Sequence, residues 1–189
     1  MGLEGKLVYL REEMEEDIEK QKDLRNDLST QGWNKALPPD YTLSMYKERF
    51  EKRKFSFDRT DGRFTVISKD TDEYVGHISY SDYEDRFSAA IGVVIDKSFW
   101  GKGMAYDAQE VLLKFLFLEL GVQVVRIWTE SGKEHAVDLA KRSGFKISGK
   151  LRNTIYKGGT IKSTLIIDLL REEYFALHPE FEDKLPSIE

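Results

Sequence analysis

Apolar residues change their spacing along the chain, and each change marks a different kind of element. Leu7 and Tyr9, set among Lys6, Val8 and Arg11, read as a short opening strand. Met14, Ile18, Leu24 and Leu28 then recur at helical spacing and predict an amphipathic helix with one buried face. Gly32 ends that stretch and Pro38-Pro39 forbids helix across it. A loop carrying Trp33 therefore joins this helix to a second one, Tyr41 to Lys54, whose inner face holds Leu43, Tyr46 and Phe50.

The middle of the chain switches period. Arg63 to Ser68 and Tyr74 to Tyr80 are strand-like and flank the turn residues Asp70-Thr71-Asp72, which predicts an antiparallel hairpin. Ala89 to Ile95 is almost continuously apolar, the mark of a central strand covered on both faces. After Asp96 a loop, Lys97 to Ala105, opens a helix with Ala108, Val111, Leu112, Phe115 and Leu116 inside, and Gly121 stops it. Val122 to Thr129 reads as a strand whose Trp128 is expected in the core. Glu134 to Ser143 reads as a short helix closed by Gly144. Phe145 to Arg152 and Thr160 to Leu169 read as strands joined through Lys157-Gly158-Gly159, and the tail is weakly helical until Pro179. No proline falls between Pro39 and Pro179 and nothing repeats, so one domain is expected over 1–189, with its core at about 6–175 and a tail at 176–189.

Composition narrows the chemistry. With 189 residues, 40% hydrophobic and 33% charged, the chain suits one folded soluble domain. It contains neither an apolar run of membrane-spanning length nor a signal-like start, so a cytoplasmic protein without membrane partners is expected. Zero cysteines exclude disulfides and thiolate chemistry, and three scattered histidines, His77, His135 and His178, give no reason to expect a metal. A net charge of −5 argues against direct nucleic-acid binding. The charged runs Glu12-Glu13-Met14-Glu15-Glu16 and Lys52-Arg53-Lys54 read as solvated helix faces.

Candidate chemistry centres on Gly101 and Gly103. Two glycines between a buried strand and a helix suit a plain tight turn. They equally suit an anion cradle, in which backbone N–H groups and the helix dipole meet a phosphate. A Rossmann fingerprint would need a third glycine where Tyr106 stands, and a P-loop would need Lys-Ser/Thr after Gly103, where Met104 stands.

Trp100-Gly101-Lys102-Gly103-Met104-Ala105 does resemble the acetyl-CoA signature Gln/Arg-x-x-Gly-x-Gly/Ala of the GNAT family of N-acetyltransferases. With "LAKRSGF" (Leu139 to Phe145), "LRNxxYKGG" (Leu151 to Gly159) and "LLREEY" (Leu169 to Tyr174), the chain looks most similar to the RimJ/RimL-type branch, which acetylates ribosomal-protein amino termini. The resemblance implies an α+β fold with a mixed, mostly antiparallel twisted sheet of about seven strands and helices on both faces. It also implies acetyl-CoA as donor and an amine as acceptor, a protein N-terminal α-amine or a small amine such as a polyamine or aminoglycoside. A catalytically weak CoA-binding module is the alternative, and monomer and homodimer both suit. Val93, Val94 and Ile95 would hold the pantetheine, and Gly101, Lys102, Gly103, Met104, Ala105 and Tyr106 the pyrophosphate. The chain departs from the family at Trp100, which replaces Gln/Arg. It departs again at Lys133-Glu134-His135-Ala136, where relatives carry Asn-x-x-Ser, so Lys133 becomes a candidate cofactor contact.

Acetyl transfer needs an oriented thioester, a polarised carbonyl and a neutral amine. Near pH 7 an α-amine of pKa about 7.8 is neutral roughly one time in ten, and a lysine amine of pKa about 10.4 only about 0.04% of the time. Glu130, Asp82 and Glu84 are candidate bases or simply surface carboxylates. His135 and Ser131 are candidate proton donors to the leaving thiolate, or exposed residues without such a role. Lys133 and Lys141 are candidate phosphate contacts. Trp33, Tyr41 and Tyr46 suit either an acceptor groove or core packing.

Overall fold

Alternation and capping place the elements closely along the chain. The protein, as a computed structural model, is described over residues 3–27, 41–54, 60–157 and 159–184; Leu28, Gly32, Trp33, Pro38, Pro39 and Gly158 lie outside them. In order come β1 (Val8–Glu12), α1 (Asp17–Asn26), α2 (Leu43–Lys54), β2 (Gly62–Ser68), β3 (Tyr74–Glu84) and β4 (Ser88–Ile95). A 3-10 turn (Lys97–Phe99) leads to α3 (Met104–Lys114), then β5 (Val124–Glu130), α4 (Glu134–Arg142), β6 (Lys146–Lys157), β7 (Thr160–Leu170) and α5 (Arg171–Leu177). The strands form one seven-stranded sheet in the order β1-β2-β3-β4-β5-β7-β6. Every adjacent pair is antiparallel except β4 and β5. The fold is the expected α+β arrangement.

Strand alternation divides the molecule. Ala89, Ile91 and Ile95 of β4 join Val125 of β5 in a core sealed by Ala108, Val111 and Leu112 of α3 and by Leu116 just beyond its end. The residues between them face the other side, where Ile18 and Leu24 of α1 are buried. There Asp17, only 2% exposed, ties α1 to the sheet. Its carboxylate receives both Arg11 guanidinium N–H groups at 2.7 and 3.0 Å, the Met14 N–H at 2.9 Å and the Thr65 hydroxyl at 2.8 Å. Burial pushes the Asp17 pKa up, but these hydrogen bonds and the Arg11 charge outweigh it and hold the group below its ordinary range.

Several ends differ from expectation. Met14 is 40% exposed and stands outside the buried stripe. β3 runs past Tyr80 to Glu84, and β6 reaches Lys157 because irregularities in its register let it follow β7. The helix before Gly121 widens into a π-turn at Phe115–Glu119, where Leu120 N–H reaches the Phe115 carbonyl at 3.1 Å. The tail continues as a 3-10 turn from Pro179, a residue tolerated in a first helical turn. Trp128 corrects the sequence reading most directly: it is 46% exposed, because it lies on the face of β5 opposite α3. No helix among the described residues is long and apolar enough to cross a membrane.

Candidate active site

The site begins where the sheet comes apart. β4 and β5 pair only through Ser88↔Val124, Ala89↔Val125 and Ala90↔Arg126. Beyond Ala90 and Arg126 the two strands diverge. Residues 91–95 on one side and Ile127, Trp128 and Thr129 on the other then line a cleft of about 550 Å³. Parallel strands that part leave backbone N–H and C=O groups facing the gap, where an extended ligand can pair with them. Val93, Val94 and Ile95 all line it. Gly92 is exposed there, and a Cβ built on it would meet nothing within 4 Å.

The loop after β4 closes one end. Gly101 and Gly103 have φ of +75° and +81°, which a residue with a Cβ adopts only under strain. Added side-chain carbon would meet no neighbour at Gly101 and only Leu7 Cδ1, at 3.4 Å, at Gly103. The open space is thus a cradle that side chains would fill. Gly103 is the N-cap of α3, whose first-turn residues Met104, Ala105 and Tyr106 line the cleft with the positive end of the helix. Trp100 does a structural job in place of the Gln/Arg of the signature: its indole N–H donates to the Ile95 carbonyl at 2.8 Å and pins the loop to the end of β4. Lys102 is exposed outside the lining, its ammonium 5.1 Å from the centre of the Phe99 ring.

α4 forms the far wall. Lys133, His135, Ala136, Leu139 and Arg142 line the cleft. The Arg142 guanidinium stacks on Tyr106, 4.5 Å from the ring centre, and so bridges α4 to the start of α3. Burial raises the Tyr106 pKa, so the phenol stays protonated beside that cation. Gln109 also lines the cleft and donates to Ser143 at 2.8 Å.

The other expected residues take different places. Glu130 is 4% exposed and pairs with Lys162 at 2.9 Å; it lies on the Trp128 face of the sheet, opposite α3. Ser131 binds β7, its N–H donating to the Ser163 carbonyl at 2.8 Å and its Oγ accepting the Ser163 N–H at 3.1 Å. Asp82 and Glu84, on the last part of β3, and Lys141, on α4, are exposed and outside the lining. Tyr41 and Tyr46 pack edge to face at 6.0 Å.

Arg142, Gln109 and Asp107 escaped the sequence reading. The 135, 139, 142 spacing on one helix face was the available signal for Arg142. Asp107 accepts the N–H groups of Lys6, Leu7 and Val8 at 3.0, 2.7 and 2.9 Å, fastening the start of β1 to the first turn of α3. Those partners lie about a hundred positions away in sequence, so no local pattern announced them. Among the described residues no group of three or more His, Asp or Glu is arranged to hold a metal.

A sheet that parts beside a glycine-turned helix start leaves one cleft lined by strand backbone and by the positive end of α3. Comparison with known proteins gives the family: the acetyltransferase (GNAT) domain profile matches residues 8–146, and the chain belongs to that family. It is 27% identical over 113 residues to the uncharacterized N-acetyltransferase p20 of Bacillus licheniformis, an alignment spanning 59% of this chain and 64% of that protein. Over 86 residues it is 34% identical to the putative ribosomal N-acetyltransferase YdaF of Bacillus subtilis, covering 46% of this chain and 47% of the relative. Among solved structures, the spermidine N-acetyltransferase of Vibrio cholerae in complex with CoA and spermine superposes with a TM-score of 0.82. It is 20% identical, with 89% of this chain and 98% of that chain covered.

Proposed function

We propose that the protein transfers an acetyl group from acetyl-CoA to a primary amine, with the α-amine of a protein amino terminus as acceptor. One observation carries this reading: the gap between β4 and β5 and the glycine cradle before α3 open into one continuous cleft. Acetyl-CoA supplies an activated thioester. The backbone of residues 93–95 aligns its pantetheine and offers an N–H to the carbonyl oxygen, and the α3 start with Gly101 and Gly103 receives the pyrophosphate. Lys133 and Arg142 add positive charge to the far wall.

The amine nitrogen attacks the carbonyl carbon, a C–N bond forms and the C–S bond breaks. Sulfur leaves with the electron pair and takes a proton, a step we assign to His135 on the cleft wall. Glu130, at the end of β5 and paired with Lys162, is assigned to the ammonium proton lost by the acceptor, and Ser131 ties the end of β5 to β7 through Ser163. An α-amine needs little base, since roughly a tenth is neutral near pH 7. Polyamine acetylation is the second reading, favoured by likeness to the spermidine enzyme. The test is thiol release from acetyl-CoA over a panel of peptides, spermidine and aminoglycosides: release with at least one amine is expected, and release with none would refute acetyl transfer to these classes.

A further inference from the structure

The cleft wall that α4 supplies ends in an arginine with no counter-ion. Arg142 is exposed and lines the cleft, and among the described residues it donates no hydrogen bond and enters no ion pair. Its guanidinium lies over the Tyr106 ring, 4.5 Å from the ring centre. Other arginines of the fold are anchored through their N–H groups: Arg11 on Asp17 at 2.7 Å, Arg53 on Glu13 at 3.2 Å, and Arg171 on the Phe117 carbonyl.

The carboxylates of this corner are committed elsewhere or out of reach. Asp107 accepts the N–H groups of Lys6, Leu7 and Val8. Glu110, one turn past Tyr106 on α3, faces the His178 ring at 3.4 Å. Asp138, one turn before Arg142 on α4, makes no ion pair with it. A guanidinium that rests on a ring is already ordered, and the N–H groups around its rim stay available for an oxygen acceptor. Phosphate matches that fork in charge and in shape.

Place along the donor decides which phosphate. The pyrophosphate belongs to the cradle, where backbone N–H groups around Gly101, Gly103 and the start of α3 need no side-chain cation. Tyr106 is the last residue of that first turn in the cleft lining, and Arg142 stands on its α4 side. Lys133, the other cation of this wall, precedes the opposite end of α4, about 13 Å away along the helix, and follows directly on the end of β5. Beyond the pyrophosphate CoA offers only an adenine and a ribose with its 3′-phosphate. Adenine is neutral, whereas a phosphate monoester carries up to about two negative charges and three acceptor oxygens.

We infer that Arg142, seated on Tyr106, receives the 3′-phosphate of CoA and makes the protein distinguish CoA from dephospho-CoA. The inference rests on the acetyl-transfer reading and names the residue that selects its donor.

The test is calorimetric titration of the full chain with CoA and with dephospho-CoA. The wild-type protein is expected to bind CoA about tenfold tighter or more at low salt, a gap that narrows in high salt. Arg142→Ala should bring CoA down to the affinity of dephospho-CoA and leave dephospho-CoA itself nearly unchanged. Arg142→Lys keeps the charge but not the fork and should retain part of the gap. Equal wild-type affinity for the two forms, a gap that survives Arg142→Ala, or an equal loss for both forms in that variant overturns the inference while CoA binding stands. Binding of neither form to the wild-type protein, with no thiol release from acetyl-CoA over the amine panel, overturns it together with the acetyl-transfer reading.

Discussion

Gly101 and Gly103 share a left-handed φ, but only Gly103 is the N-cap of α3, so a side chain there projects where the first-turn N–H groups converge. Gly103→Glu puts bulk and negative charge into that space. The strain of a non-glycine residue at such φ is about 1–2 kcal/mol, a fraction of an ordinary domain's stability. The variant should therefore fold, with a near-native circular dichroism spectrum, and lose CoA binding in a calorimetric titration. Wild-type affinity in the folded variant would move the pyrophosphate elsewhere. The glycines were legible because their chemistry is local. Trp100 was legible only as a departure from a motif, since its hydrogen bond to the Ile95 carbonyl is a tertiary fact.

Periodicity found α1 but not what fastens it. Asp17 was one acid in an acidic stretch, and only the meeting of β1, α1 and β2 makes it a buried acceptor for Arg11, Met14 and Thr65. Because its folded pKa is depressed, its stabilisation is complete above the unfolded value near 3.9 and is lost as pH falls through the lower folded value. Asp17→Asn leaves Arg11 without its counter-charge and should cost about 3 kcal/mol at neutral pH. Urea unfolding should show this deficit largest at pH 6–7 and shrinking in acid. A deficit independent of pH would mean that shape, not charge, joins the helix to the sheet. β5 carries the opposite lesson. Its β-branched run announced a strand, but strand propensity does not say which face a helix covers, and so Trp128 was misplaced.

Taken as one body, the molecule is built on a single sheet. On one side α3 closes the core, on the other α1 is buried against the strands, and the gap between β4 and β5 opens into the cleft that α4 walls. Strand number and the glycine loop before α3 could be read from the sequence, because period and glycine placement are written locally. The far wall of the cleft could not, because Gln109 of α3 and Arg142 of α4 meet only in the folded chain. The account stands on the cleft being a CoA site, and thermal unfolding of the wild-type protein with added CoA tests that most directly. At a hundred times Kd, CoA should stabilise the protein by about 2.7 kcal/mol, a rise in melting temperature of roughly 5–10 °C for a chain of this size. A melting temperature unmoved by millimolar CoA would contradict it.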